Sequence, residues 1–184
     1  MTKVIFIDTN FRIGFHISKE TTIVKTILNN IDHFFQCYQI YISNSRSFNK
    51  KEIDADDIIR SREILRYHSK YLCIHASLLY NLCGSVNHIN DDRFEYKLQQ
   101  MRKGLIYELD VGAGLGCGVV VHIGSCKDKI FGIDIICKTI EYVLKADSDE
   151  SVLLSDKLNI NIDKFKKKRK IILENSAGEG NKLG

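Results

Sequence analysis

The sequence lacks proline and tryptophan altogether, and it also lacks any long apolar run. Isoleucine, asparagine and lysine are abundant instead, a pattern typical of an AT-rich genome that excludes no fold. No apolar stretch approaches the roughly 18 residues that a transmembrane helix needs. The first ten residues also lack the basic and apolar regions of a signal peptide. We therefore expect an intracellular protein, cytoplasmic or nuclear, that is neither secreted nor embedded in a membrane.

The six cysteines include no CxxC pair, which argues against a zinc ribbon and against a disulfide framework. Cys73 and Cys117 lie in or beside apolar runs, so we interpret them as buried free thiols. The net charge of +4 permits a polyanionic partner without requiring one. A length of 184 residues with 44% apolar and 27% charged residues predicts one soluble domain spanning 1–184.

Short apolar segments alternate with amphipathic segments along the chain. Alternation of this kind predicts parallel βαβ units whose helices cover the sheet. Periodicity alone does not distinguish a doubly wound sheet from a closed barrel. The predicted strands are residues 12–16, 37–42, 71–74, 118–121 and 171–173.

Four amphipathic stretches predict helices between these strands. Thr21 or Thr22 is placed to cap the first helix and Asp54 the second. The third and fourth have apolar stripes at helical spacing, whereas the charged segment 146–170 shows none. The two stripes are Phe94, Leu98, Met101, Leu105 and Leu109, and Ile130, Ile133, Ile136, Ile140 and Val143.

A polar residue follows every predicted strand at or just beyond its carboxyl end. In a (β/α)₈ barrel of the TIM type these ends converge on one mouth, where the chemistry is built. Five consecutive polar strand ends therefore favour a barrel over a doubly wound sheet. The residues are His16, Asn44, Arg46, His75, His122 and Glu174.

His75, His122 and Glu174 form a set of two imidazoles and one carboxylate. This is a common ligand set of catalytic zinc sites, in which a fourth position is left to water. The metal lowers the pKa of that water and makes a nucleophile available near neutral pH. Each residue alone would be interpreted as a hydrogen-bonded strand end, but together they predict a metal site. Arg46 could reach a phosphate from the same rim, or be an ordinary solvated loop arginine.

Two further motifs have simpler interpretations. The glycines of segment 112–118 precede a strand, whereas a dinucleotide fingerprint opens a helix, so they predict a helix C-cap and a tight turn. The basic run 164–170 precedes the last strand and is placed on the face opposite the polar strand ends. It is interpreted as a solvated helix end, with a nuclear import signal as the alternative.

The strand-end segments resemble the endonuclease IV family of apurinic/apyrimidinic endonucleases. They occur in the family's order and at similar spacing from about Arg12 onward, which leaves 1–11 as an additional N-terminal segment. The matching segments are IGFHIS (13–18), ISNSRSF (42–48), HASLLYNL (75–82), VVVHIGS (119–125) and ILENSAGEGNKLG (172–184).

The resemblance implies a base excision repair enzyme that cuts double-stranded DNA 5′ to an abasic site, using up to three metal ions, usually Zn²⁺. It implies that His75, His122 and Glu174 hold one ion and that Glu174, which bridges to a second, takes part in catalysis by metal-activated hydroxide. Asn44, Arg46, His16 and Leu78 would contact the DNA. Leu78 stands where the family has a tyrosine that enters the duplex, and Tyr80 follows two residues later.

The family continues with three more strands and further metal ligands that this sequence does not contain. The resemblance therefore implies an N-terminal portion of the barrel, truncated after about five βα units, with at most one nearly complete zinc site. We expect little activity from it unless a second chain supplies the remainder. The alternatives are a catalytically silent homologue or DNA-binding remnant, and a sugar isomerase or epimerase on the same type of barrel.

Overall fold

Strands and helices alternate along the computed structural model, which describes residues 14–32, 35–48, 50–83, 92–126 and 128–174. The expected segments 1–11 and 175–184 lie outside these residues. The strands are β1 (Gly14–His16), β2 (Cys37–Ile40), β3 (Tyr71–His75), β4 (Val119–His122) and β5 (Ile171–Glu174). The helices of the described part are α1 (Ile23–Leu28), α2 (Ala55–Tyr67), α3 (Asp92–Leu115), α4 (Lys129–Lys145), α5 (Asp149–Lys157) and α6 (Ile162–Lys166).

All five strands run parallel in one sheet, in the spatial order β1-β2-β3-β4-β5. A doubly wound sheet reverses its strand order at a switch point, whereas a TIM-type barrel keeps the order of the sequence. The strand order is therefore that of consecutive βα units of a barrel, as the polar strand ends predicted. Among the described helices, none is both long and apolar enough to cross a membrane.

The two faces of the sheet differ in chemistry because successive side chains of a strand point to opposite sides. One face is apolar and buried against the helices. The other carries polar side chains such as Gln39 and His75 toward what would be the inside of a barrel. The buried set on the helix side comprises Tyr38, Ile40, Leu72, Ile74, Val119 and Val121.

The predicted caps of the first two helices are confirmed. Thr22 Oγ1 accepts from the Lys25 N–H at 3.1 Å, and Asp54 Oδ1 accepts from the Asp56 N–H at 2.9 Å. Asp57 joins the two helices, because its carboxylate accepts from the backbone N–H groups of Ile23 at 2.7 Å and Val24 at 2.9 Å. These bonds satisfy donors that the first turn of α1 would otherwise leave unpaired.

The helix end expected at the start of the glycine-rich segment 112–118 lies further along the chain. Helix α3 continues through Gly112 and Gly114 to Leu115, and the backbone turns only at Gly116, whose φ is 81°. Close helix packing explains the interior glycine, because a Cβ at position 114 would lie 2.8 Å from Ile58 Cγ2 of α2. The C-cap interpretation therefore holds for Gly116 alone.

The apolar stripe expected for α4 is wrong at its first two members. Ile130 is 83% exposed and Ile133 is 46% exposed, whereas Ile136 and Val143 are buried. A step of three residues turns a helix by about 300°, so each such step back from Ile136 moves about 60° around the surface. Ile130 thus lies about 120° from the buried face.

The charged segment 146–170 contains two helices that the sequence pattern did not reveal. Ser148 begins α5 with a capping box, and Phe165 of α6 is completely buried. The interpretation of 164–170 as a solvated helix end is wrong for Arg169, which is buried and paired with Asp110. Cys117 is buried as expected, but Cys73 is only partly buried; all six cysteines are free thiols.

Replacing Arg169 with methionine is expected to destabilise the fold strongly. Its Nε lies 2.8 Å from Asp110 Oδ1, and its Nη1 donates to the Val143 and Ala146 carbonyls at 2.8 and 2.7 Å. Removing one partner leaves the other charge buried and unpaired, which costs about 3–5 kcal/mol. Urea denaturation measures the change. Lys167→Met, at an exposed neighbour, is the control and should stay within about 0.5 kcal/mol of the unsubstituted chain. Equal stability of the two variants would contradict this account.

Candidate metal centre

Strand register brings His75, His122 and Glu174 together at the carboxyl edge of the sheet. His122 is the direct partner of Glu174 across β4 and β5, and His75 is the partner of Val120 across β3 and β4. Val120 and His122 share a face because they are two residues apart on one strand. All three side chains that were predicted as metal ligands therefore lie on the polar face.

The three side chains approach one another closely enough to hold one ion. His75 Nε2 and His122 Nε2 are 3.3 Å apart, and Glu174 Oε2 lies 3.6 Å from the first and 3.5 Å from the second. Ligand atoms placed about 2.0–2.1 Å from a tetrahedral zinc ion are about 3.3–3.4 Å from each other. The residues therefore fit a small divalent ion with little rearrangement.

The backbone fixes the orientation of the His75 ring. Its Nδ1 lies 2.7 Å from the carbonyl oxygen of Ala76, which can only accept, so the proton is on Nδ1. Nε2 is then left with its lone pair toward His122 and Glu174. A second hydrogen bond of this kind orients the imidazoles of metal sites and raises their basicity.

Solvent reaches the cluster from one side. The His75 side chain is 9% exposed, whereas His122 is 30% exposed and Glu174 is 47% exposed. A closed structural site has four protein ligands, whereas this group offers three among the residues that the structure describes. Three ligands with partial solvent exposure are typical of a site that leaves a position for water or substrate.

Four aromatic rings form a row across the ends of β1 to β4. The ring centroids of His16 and Tyr41 are 4.6 Å apart, those of Tyr41 and His75 are 4.8 Å apart, and those of His75 and His122 are 5.1 Å apart. Burial, and secondarily the charge of Glu174, raises the pKa of Tyr41. Tyr41 follows β2 directly but is not predicted as a site residue from the sequence, because an aromatic residue at a strand end suggests packing.

Of the residues predicted to face DNA, His16 belongs to this row and the others lie on the loops after β2 and β3. Asn44 Oδ1 accepts from the Arg46 N–H at 2.9 Å, and Asn44 and Arg46 are both exposed. Leu78 is 45% exposed, and its N–H donates to the Ser45 carbonyl at 2.8 Å. His16 is exposed, and its Nδ1 lies 3.3 Å from Gln39 Oε1. The structure thus brings the rim loops after β2 and β3 into contact.

A buried polar group supports the loop after β3. Glu108 of α3 accepts hydrogen bonds from the Ser77 N–H and the Tyr80 hydroxyl, while its Oε2 has no partner among the described residues. Gly104 makes room for Tyr80, because a Cβ at that position would overlap the hydroxyl and lie 2.9 Å from Cζ. Tyr80 is only 4% exposed, so it does not take over the position of the family's DNA-entering tyrosine.

Fold and site together define a β/α chain of the TIM-barrel type in which three residues at the strand ends could hold a metal ion. The chain is 27% identical over 175 residues to a probable endonuclease 4 from Haloarcula marismortui. It is 27% identical over 182 residues to a probable endonuclease 4 from Nitrosopumilus maritimus. Both matches confirm the sequence resemblance to endonuclease IV. No protein-family model matches the chain.

These relatives are longer than the chain. Each match covers 94% of the chain but 54% of the relative, so the chain spans about half the length of the curated relatives it matches. The crystal structure of endonuclease IV from Thermus thermophilus superposes on 94% of the chain and 55% of its own length, with a TM-score of 0.65 and 20% identity. At that identity the superposition shows the fold, which is the TIM-barrel type that the sequence predicted.

Titration with Co²⁺ is expected to show one bound ion per chain. Replacing His122 or Glu174 with alanine should weaken binding at least about 100-fold, because each substitution removes one of three ligands. Visible absorbance of the bound cobalt gives stoichiometry and affinity, and competition with Zn²⁺ ranks the two metals. His68→Ala, at the exposed C-cap of α2, is the control. Unchanged binding by the His122→Ala chain would exclude this cluster as the site.

The stability of the fold should decrease as the pH rises, because the folded chain holds a proton on Glu108. Burial raises the pKa of Glu108 from 4.5 to about 8. The folded chain thus retains a proton that the unfolded chain releases, and stability present below about pH 4.5 is lost as pH rises through about 8. Urea denaturation across that range should show a shallower fall for Glu108→Gln. Glu95→Gln, at an exposed position of α3, should keep the original slope; identical slopes in all three chains would contradict the assignment.

Proposed function

We propose that the chain carries one metal site and the DNA-facing rim of an abasic-site endonuclease, a DNA repair enzyme that hydrolyses the phosphodiester 5′ to the lesion. The observation that carries the proposal is the close spacing of His75, His122 and Glu174 at the strand ends, where His122 and Glu174 are partly exposed. The sequence resemblance to endonuclease IV relatives supports the choice of substrate. The occupant that suits two imidazoles and a carboxylate is Zn²⁺.

A zinc ion held by these three residues would supply Lewis-acid activation of a water molecule and of a phosphate oxygen. The chain's own contribution begins with His75, whose Nε2 is presented as a ligand by the bond from Nδ1 to the Ala76 carbonyl. Glu174 is 47% exposed, so its second oxygen can accept a proton or contact a neighbouring group. The oriented ring of His75 would therefore act as a ligand, whereas the exposed carboxylate of Glu174 could also accept a proton.

The rim would hold the DNA strand over the cluster. Arg46 is an exposed guanidinium on the loop after β2, suited to contact a phosphate bidentately. Leu78 and Leu79 are exposed apolar neighbours, 45% and 43%, on the loop after β3. Apolar side chains of this kind can insert where a base is missing, and an abasic nucleotide costs less to extrude than a paired one.

The 184-residue chain by itself is expected to lack ligands that cleavage needs. The resemblance implies three ions for cleavage, whereas the metal-ligating side chains that cluster in the described ranges offer three ligands for one ion. We propose that residues 1–184 act as a single domain that binds the abasic duplex, and that cleavage requires further ligands. A catalytically silent binding module shares the rim but does not need the metal cluster.

The zinc-loaded chain is expected to bind a duplex containing one abasic analogue at least about tenfold more tightly than the intact duplex. Arg46→Gln should weaken binding to both by about fivefold to tenfold, because it removes a charge-assisted phosphate contact. Fluorescence anisotropy measures both affinities. Arg66→Gln, at an exposed arginine in the last turn of α2, is the matched control. Equal affinity for the two duplexes would refute the proposed substrate.

Strand cleavage of the same labelled duplex tests the second part of the proposal. The chain alone should show no nicking above the level of its Glu174→Ala variant. Nicking 5′ to the lesion that Glu174→Ala abolishes would show that one ion suffices, and the requirement for further ligands would then be wrong.

A further inference from the structure

A cleft opens beside the metal cluster, between the loops that follow β1 and β2. Its volume is about 450 Å³, and its lining includes His16, Tyr41, Asn44, Lys19 and Lys51. His16 and Tyr41 form the wall toward the cluster, since the ring centroid of Tyr41 lies 4.8 Å from that of His75. The cleft therefore adjoins the metal site without sharing its three ligands.

Two lysine side chains contribute positive charge to the cleft, which Glu20 also lines. The Lys19 ammonium donates to the Glu20 backbone carbonyl at 3.3 Å, and neither Lys19 nor Lys51 forms an ion pair with a carboxylate of the described residues. Burial and the charge of Lys51 lower the pKa of Lys19, an effect that the charge of Asp57 only partly offsets. The two ammonium groups thus repel each other across one cavity.

The carboxylates nearest to these lysines have other partners. Glu20 lies 3.1 Å from the Lys25 ammonium and accepts from Asn29 Nδ2 at 2.6 Å. Asp57 uses both oxygens on the backbone N–H groups at the start of α1. Glu20 is thus paired with Lys25, and the charge of Asp57 offsets only part of the effect of burial and of Lys51 on Lys19, which leaves positive charge in the cleft for an anion from outside.

The polar groups of the lining are suited to a tetrahedral oxyanion. Ser18 and Ser43 contribute hydroxyl groups. The Oδ1 atom of Asn44 accepts from the Arg46 N–H, so the amide NH₂ is the end that remains for a ligand. Hydroxyl and amide donors around two ammonium groups match the oxygens of a phosphate better than those of a flat carboxylate.

We propose that this cleft binds a phosphate group of a nucleic-acid strand, held between Lys19 and Lys51 with Asn44 as a neutral donor. The assignment to a strand rests on the proposed function, because the rings of His16 and Tyr41 lie between the cleft and the metal cluster. The phosphate in the cleft then belongs to a neighbouring nucleotide and not to the one that reacts. Its role is to set the register of the strand.

The salt dependence of DNA binding tests the proposal directly. Affinities of the abasic and the intact duplex are measured by anisotropy between about 50 and about 200 mM salt, where each neutralised phosphate contributes about 0.9 to the slope of log K against log salt. Lys19→Gln or Lys51→Gln alone should lower that slope by less than about 0.9, because the remaining lysine still neutralises the phosphate. The double variant should lower it by about 0.9 in total, because both lysines hold the same phosphate. Lys145→Gln, on α4 and exposed, is the control of equal charge.

The two duplexes separate this proposal from the proposed function. The lysine substitutions should weaken both duplexes equally, since a backbone phosphate carries no information about the lesion. A chain that binds both duplexes alike refutes the abasic substrate but leaves the comparison of slopes intact. An unchanged slope in the double variant would overturn the phosphate site.

Two further outcomes would also overturn the proposal. A double variant whose slope falls by about 1.8 would place the lysines on two separate phosphates. Calorimetric binding of inorganic phosphate that is lost in Lys19→Gln, together with unchanged DNA slopes, would assign the cleft to free phosphate and not to a strand. Thermal unfolding of each variant at the temperature of the unsubstituted chain confirms that the fold is retained.

Discussion

The parallel pairing of β4 with β5 is the constraint on which the candidate site depends. It sets His122 directly opposite Glu174, and pairing of β3 with β4 then brings His75 to the same face. Side chains alternate along a strand, so a shift of one residue in β5 would send Glu174 to the helix side. The apolar contacts of Ile171 with the core oppose such a shift. Packing of one face therefore fixes the chemistry of the other.

This edge of the sheet combines a side chain that is held in place with one that is accessible to solvent. His75 is buried and held by a backbone carbonyl, whereas Glu174 reaches solvent. The loop after β3 is tied to the loop after β2, because Ser77 Oγ donates to the Ser45 and Ser47 carbonyls at 3.1 and 3.2 Å. An open site on such a frame can admit a large substrate while its ligand atoms stay in place.

The features that depend on strand alternation could be predicted from the sequence, and those that depend on packing between helices could not. The clustering of His75, His122 and Glu174 could be predicted because packing alone seldom requires a polar residue directly after an apolar strand. Arg169 was interpreted as solvated because its neighbours in the sequence are basic, and only the fold places Asp110 beside it. Lys19 and Lys51 were missed for the same reason. They are 32 residues apart in the sequence, and loops after different strands bring them to one cleft.

The contact between Gly104 and Tyr80 has a consequence for how related sequences can vary. A side chain at position 104 and a phenol at position 80 would need the same space, since the overlap involves the Tyr80 hydroxyl and Cζ. A relative with the same backbone can therefore carry a larger residue at 104 only where position 80 has given up its tyrosine. The residue at one position therefore limits which residues fit at the other. The two positions should covary in an alignment of such relatives because of this buried contact.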